Sequence, residues 1–219
     1  MPLAWRFDAL QVIDWNHASD GAAMAESFWA NHYAPRAALR KLADGMRAAL
    51  GLASRGDDSG GGGGDARPLV VYCDREGSPL GRNLGGAHRS RLLSALKAAV
   101  GDAARVEIFG AAGAPRLSLA EQAALFADAA VVIGPHGAAL SNLAFCPPRA
   151  HAVLLPERTG NRVFEHLSAA LDLRVSTLTL ISADQHGEYE VDVAAAHAAA
   201  GWVRQLLIED GRVADVDAV

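Results

Sequence analysis

From residue 68 onward, short apolar runs alternate with amphipathic stretches of about a dozen residues, and that rhythm leaves few folds open. "PLVVYCD" (68–74), "ARVEIFG" (104–110), "AVVIG" (130–134), "AHAVLLPE" (150–157) and "LRVSTLTLI" (173–181) read as strands. Between and after them, "HRSRLLSALKAAVG" (88–101), "SLAEQAALFADA" (118–129), "GAALSNLAF" (137–145), "NRVFEHLSAALD" (161–172) and "DVAAAHAAAGWVRQLLIED" (192–210) read as helices. The runs are continuous rather than alternating, as expected of strands buried on both faces. Right-handed crossovers then dictate an α/β fold: a Rossmann-like, doubly wound parallel sheet with helices on both faces. Ser118 and Glu121 have the spacing of a capping box at the start of their helix.

The chain upstream reads differently. Residues 22–52 are helical in pattern and interrupted by Pro35, after which Leu39, Leu42, Met46 and Leu50 mark one apolar face. Residues 53–67, "ASRGDDSGGGGGDAR", contain five consecutive glycines and read as a flexible loop. Three segments follow from this: 1–52 leading in, the loop at 53–67, and a Rossmann-like unit over 68–219. The opening "MPLAWRFDALQVIDW" lacks the basic-then-apolar order of a signal peptide. Its abrupt, strand-like start is compatible with a missing upstream portion.

Composition excludes several classes. A hydrophobic fraction of 51% rules out a disordered chain, and no uncharged run of about 18 apolar residues exists to span a membrane. The net charge of −5 gives no basic surface for nucleic acid. Cys73 and Cys146 have no metal-type spacing and read as two buried thiols or a single disulfide. Neither the eight histidines nor the carboxylates form a metal or acid–base motif, and His32, His166 and His197 read as packed or surface residues. Phosphate-loop, nucleophile-elbow and zinc-protease patterns are absent.

In parallel sheets, ligands sit outside the carboxyl ends of the strands, so those ends are where function is sought. One of them, "VVIGPHGAALSNLAF" (131–145), stops a β-branched run at Gly134-Pro135 and opens a small-residue helix at Gly137. Backbone amides at Gly137 and Ala138 and the positive end of the helix dipole suit a phosphate or diphosphate. His136 can donate to a phosphate oxygen or meet a sugar or base. Arg75 and Arg82, after the first strand, carry planar forks that match phosphate oxygens, and Arg158 and Arg162 flank another strand end. On local pattern alone the Gly-Pro-His-Gly turn reads equally as a tight connection bearing a surface histidine.

The longer pattern tips that balance. Glu121, Gln122, Phe126 and Ala129 lead into Gly134, His136, Gly137 and Ala138, followed by Asn142, Phe145, Pro147 and Pro148. This order, E-Q-x-x-x-F-x-x-A, then G-P-H-G-A, L-x-N-x-x-F and a proline turn, resembles the signature region of the family 61 glycosyltransferases. Weaker similarity extends over roughly residues 25–210. The resemblance implies an inverting, metal-independent transfer of sugar from a nucleotide sugar, by family habit a UDP-sugar, to a glycan or protein hydroxyl. It implies a GT-B architecture of two Rossmann halves, of which this chain corresponds to the C-terminal, donor-binding one. No cofactor beyond the co-substrate is implied, and eukaryotic members work in the Golgi or ER lumen.

Carried onto this sequence, the resemblance makes Arg75 the residue offsetting charge on the leaving diphosphate. Gly137 and Ala138 become its cradle and His136 the group orienting diphosphate or sugar. Arg82, Asn142, Glu157, Arg158 and Arg162 complete the donor-binding set, with Asn142 also suited to tying its helix to a neighbouring loop. The sequence departs where the family often carries Asn-Glu at a helix start and this chain has His88 and Arg89, and where an acidic ribose ligand appears only as the displaced Glu157. Inversion requires a general base, for which Asp14, His17 and Asp20 are the upstream candidates. The alternative is a catalytically silent nucleotide-sugar-binding or interaction domain.

Overall fold

The computed structural model describes residues 34–52, 65–75, 84–156, 162–179, 181–183 and 189–215. Five strands form one parallel sheet: β1 (Leu69–Cys73), β2 (Arg105–Phe109), β3 (Ala129–Gly134), β4 (His151–Leu154) and β5 (Arg174–Thr177). Their order is β2-β1-β3-β4-β5. From β1 the path steps outward to β2, then crosses back past β1 to β3. The carboxyl ends of β1 and β3 therefore diverge into helices on opposite faces, a topological switch point.

The helices are α1 (Arg36–Ala49), α2 (Gly86–Val100), α3 (Leu119–Ala127), α4 (Val163–Ala170) and α5 (Val193–Glu209). Because strand side chains alternate, Val70, Tyr72, Val131, Ile133 and Val153 pack with α2 and α5 on one face. Leu69, Val71, Cys73, Val132, Ala152 and Leu154 pack with α1, α3 and α4 on the other. Each fully buried Val, Leu or Ile contributes about 1.5–3 kcal/mol of transfer free energy. This double-faced burial is why β1 and β3 read as unbroken apolar runs and why β4 is apolar after His151.

The edge strands differ. β2 and β5 are half-buried, and the apolar run at 173–181 pairs as a strand only over Arg174–Thr177 before turning at Thr179, whose amide donates to the Thr177 carbonyl. Two short antiparallel strands that the sequence did not announce, β6 (Ser182–Ala183) and β7 (Tyr189–Glu190), follow it. The Tyr189 hydroxyl donates to the Pro156 carbonyl at 3.0 Å, which fastens this ribbon to the end of β4.

The helix α1, upstream of the glycine run, is built into the sheet unit. It packs against α4 and the β3–β4 connection, with Ala43 buried in the core. Buried Arg47 donates from Nη1 to the Phe145 carbonyl, and desolvation lowers its pKa. His166 on α4 donates from Nε2 to the Ala34 carbonyl at 2.7 Å. Among the described residues no helix is long and apolar enough to cross a membrane.

Candidate functional site

The carboxyl end of β1 continues into Asp74 and Arg75, and that of β3 into Pro135, His136 and Gly137. These two ends meet at the switch point. Opposite Cys73 the sheet admits only a glycine: a Cβ on Gly134 would stand 2.7 Å from the Cys73 Cβ and 2.9 Å from its carbonyl oxygen. That close approach brings the next residues of both strands together. The half-buried Arg75 then crosses Gly137 and donates from Nη1 to the His136 carbonyl.

Gly137 has a steric reason to be bare, which its sequence context did not show. The volume a side chain would take at 137 is filled by Arg75, whose Cδ and Cζ would lie 2.8 and 3.0 Å from a Cβ there. Its φ of 175° is extended backbone, so the glycine serves room rather than conformation. Ala138, which follows, is exposed. The His136 ring packs edge-on against Phe164 of α4, with centroids 4.7 Å apart and planes at 60°.

The segment after Gly137 sharpens one expectation. Ala138–Phe145, read as a helix, is a 3-10 helix, with the Leu140 amide donating to the Gly137 carbonyl. Leu140 and Leu143 lie three apart and both are buried, the eclipsed spacing that a 3-10 helix puts on one face. The hydrogen-bond geometry of a 3-10 helix is poorer than that of an α-helix.

Asn142 lies inside this helix, 7% exposed. Its amide nitrogen donates to Gln122 Oε1 at 3.3 Å and to the Ala139 carbonyl at 3.1 Å. It therefore joins the 3-10 helix to α3. Arg162 stands just before α4, two residues from Phe164, with its side chain 75% exposed and Nε 3.7 Å from Glu165. Arg82, Glu157, Arg158 and the base candidates Asp14, His17 and Asp20 lie outside the described residues. So the structure gathers Arg75, His136, Gly137 and Ala138 at one point, with Arg162 near its rim and Asn142 behind it.

Sequence reading missed two members of this neighbourhood. Asp74, its side chain 1% exposed, accepts from Arg89 Nε and Nη2, each 2.7 Å from Oδ2. Phe164, which supports the His136 ring, carried no signal beyond its place in a helix. Arg89 stood out as a departure from the family pattern, and the strand-end acid one residue before Arg75 was the signal for its partner. His88, the other departure, has Nδ1 3.0 Å from both the amide and carbonyl of Val191, tying the start of α2 to the end of β7.

Neither Cys73 nor Cys146 is in a disulfide and both are buried, which decides between the two readings of them. Burial, with Cys146 and Asp74 nearby, pushes the Cys73 pKa far up, so it stays protonated. Among the described residues, no three His, Cys, Asp or Glu side chains group as metal ligands. An open groove of about 440 Å³ between α2 and α5, lined by Ser90, Arg91, Ala98 and His197 among others, lies on the helical flank, not at the strand ends.

A family model described as Glycosyltransferase 61 matches residues 15–153, more than half of the chain and all of the switch point. The chain belongs to the glycosyltransferase 61 family. No curated protein matches it. Membership assigns glycosyltransferase chemistry in general, a sugar moved from a donor to an acceptor. Within this family 61 member, the matched region ends in β4 and so contains Arg75, Arg89, His136 and Gly137, but not Arg162.

Proposed function

We propose that this family 61 protein transfers a sugar from a nucleotide-sugar donor, a UDP-sugar, to a glycan or protein hydroxyl, with inversion and without a metal ion. The observation that carries the reading is the Arg75 guanidinium laid across bare Gly137 at the β1/β3 switch point, where open α/β sheets take their ligands. In this reading the unit is the donor half of a GT-B enzyme. Arg75 offsets the charge that grows on the leaving diphosphate, a form of electrostatic stabilisation worth about 3–4 kcal/mol per well-placed donor elsewhere. Ala138, exposed at the open end of the 3-10 helix, contributes its amide. His136, held edge-on by Phe164, orients diphosphate or sugar. Arg82, Glu157, Arg158 and Arg162 complete the donor-binding set for nucleoside and diphosphate, and Asn142 supports it by fixing the 3-10 helix to α3. The group that takes the acceptor proton is not assigned; Asp14, His17 and Asp20 are the upstream candidates for it.

The test is release of UDP from UDP-GlcNAc and UDP-xylose in the presence of EDTA and a panel of glycan and hydroxyl-peptide acceptors. Acceptor-dependent release, an inverted product linkage and a loss of about a hundredfold or more in Arg75→Ala are expected. Nucleotide binding without release would favour the silent binding domain instead. Neither binding nor release would reject both.

A further inference from the structure

Asp74, the residue before Arg75, is held on three sides. Its amide donates to the Phe109 carbonyl at 2.8 Å, carrying the β1–β2 ladder one residue beyond β1. Its carbonyl lies against Gly110, where a Cβ would come within 3.2 Å. Its carboxylate takes two N–H groups from Arg89 of α2. Side chains alternate along a strand. Asp74 accordingly turns to the α2 face, while Arg75 turns the other way, to the loop after β3.

We propose that Asp74 and Arg89 form a positioning pair for the donor site: they clamp residue 74 so that Arg75 is delivered across Gly137. The pair rests on the reading of this crevice as a diphosphate site. It also solves an electrostatic problem there. A carboxylate one residue from an anion-binding arginine would repel the ligand unless its charge were matched, and Arg89 matches it. Burying an ion pair is a poor device for stability as such, since apolar residues of the same volume often do as well. Fixing one geometry is the better-attested use. The same burial, with two N–H groups already on Oδ2, removes Asp74 from any role as general base.

The test uses calorimetric titration of the full chain with UDP in a double-mutant cycle. Asp74→Asn is expected to weaken UDP binding about tenfold in the wild-type background and less than about twofold in an Arg75→Ala background. Equal losses in both backgrounds would overturn the proposal. Arg89→Lys keeps the charge but gives up the second N–H contact, so a smaller loss, about threefold, is expected from a variant that retains the fold. An independent readout needs no nucleotide. The Nε–H resonance of Arg75 should report a restrained guanidinium in the wild type and an averaged one in Asp74→Asn. If the wild type binds no UDP but Asp74→Asn frees Arg75, the diphosphate reading fails and the clamp stands. If the Arg75 resonance is unchanged in Asp74→Asn, the clamp fails whatever binds.

Discussion

At Gly134 an added methyl meets the Cβ and backbone of Cys73 inside the sheet, whereas at Gly137 it meets the movable end of Arg75. The same substitution should therefore have opposite consequences three residues apart. Gly134→Ala overpacks rigid backbone and is expected to cost about 1–3 kcal/mol, read as a lower midpoint in thermal or urea unfolding. Gly137→Ala leaves extended backbone unstrained and displaces only a side chain. Its unfolding midpoint should stay close to wild type while UDP affinity falls to that of Arg75→Ala, with no further loss in the double variant. Cys73 belongs to the same neighbourhood, and its buried, protonated thiol should be silent. A thiol reagent is expected to label neither cysteine in the native protein and both in urea; rapid native labelling of Cys73 would contradict the packing of β1.

Helix ends supply the element-scale prediction. Ser118 accepts from the Glu121 amide at 3.3 Å while the Glu121 carboxylate accepts from the Ser118 amide at 2.7 Å, which lowers the Glu121 pKa. Ser118→Ala should cost about 1 kcal/mol, whereas Arg47→Ala, which empties a buried position and leaves the Phe145 carbonyl without its donor, should cost about 2–4 kcal/mol. Paired unfolding curves compare them. The capping box was legible because both halves lie within four residues. The three central strands were legible because burial on two faces writes an apolar run. The 3-10 helix was read only as a helix, since Gly, Ala and Ser positions do not separate a three-residue repeat from 3.6. Residues 173–181 misled because an edge strand can end wherever its single neighbour ends. Asp74 and Arg89 sit fifteen residues apart on a strand and a helix, and no spacing rule pairs them. Nor does sequence say that Gly137 is bare to admit Arg75.

For the molecule as a whole, the two ends of the sheet do different work. At the amino ends of β4 and β5, opposite the crevice, buried His151 has Nε2 3.0 Å from Asp210 at the end of α5, with Arg174 and Arg212 also facing that carboxylate. Burial lowers the His151 pKa, outweighing the attraction of Asp210. A histidine that is neutral when folded binds fewer protons than in the unfolded chain, so its contribution to stability is present above the ordinary value of about 6.5 and is lost as pH falls below it. The unfolding midpoint should drop more steeply between pH 7.5 and 5.5 in the wild type than in His151→Gln, while UDP affinity, set at the other end of the sheet, should not follow that difference. The central claim concerns that other end. Its most direct test is calorimetric titration of the intact chain with UDP-GlcNAc, UDP-xylose and UDP in EDTA, repeated on Arg75→Ala and His136→Ala. Micromolar binding that survives the chelator and is weakened more than about tenfold, but still measurable, in both variants is the predicted result; tight binding unaffected by either substitution, or no binding to any of the three, would contradict it.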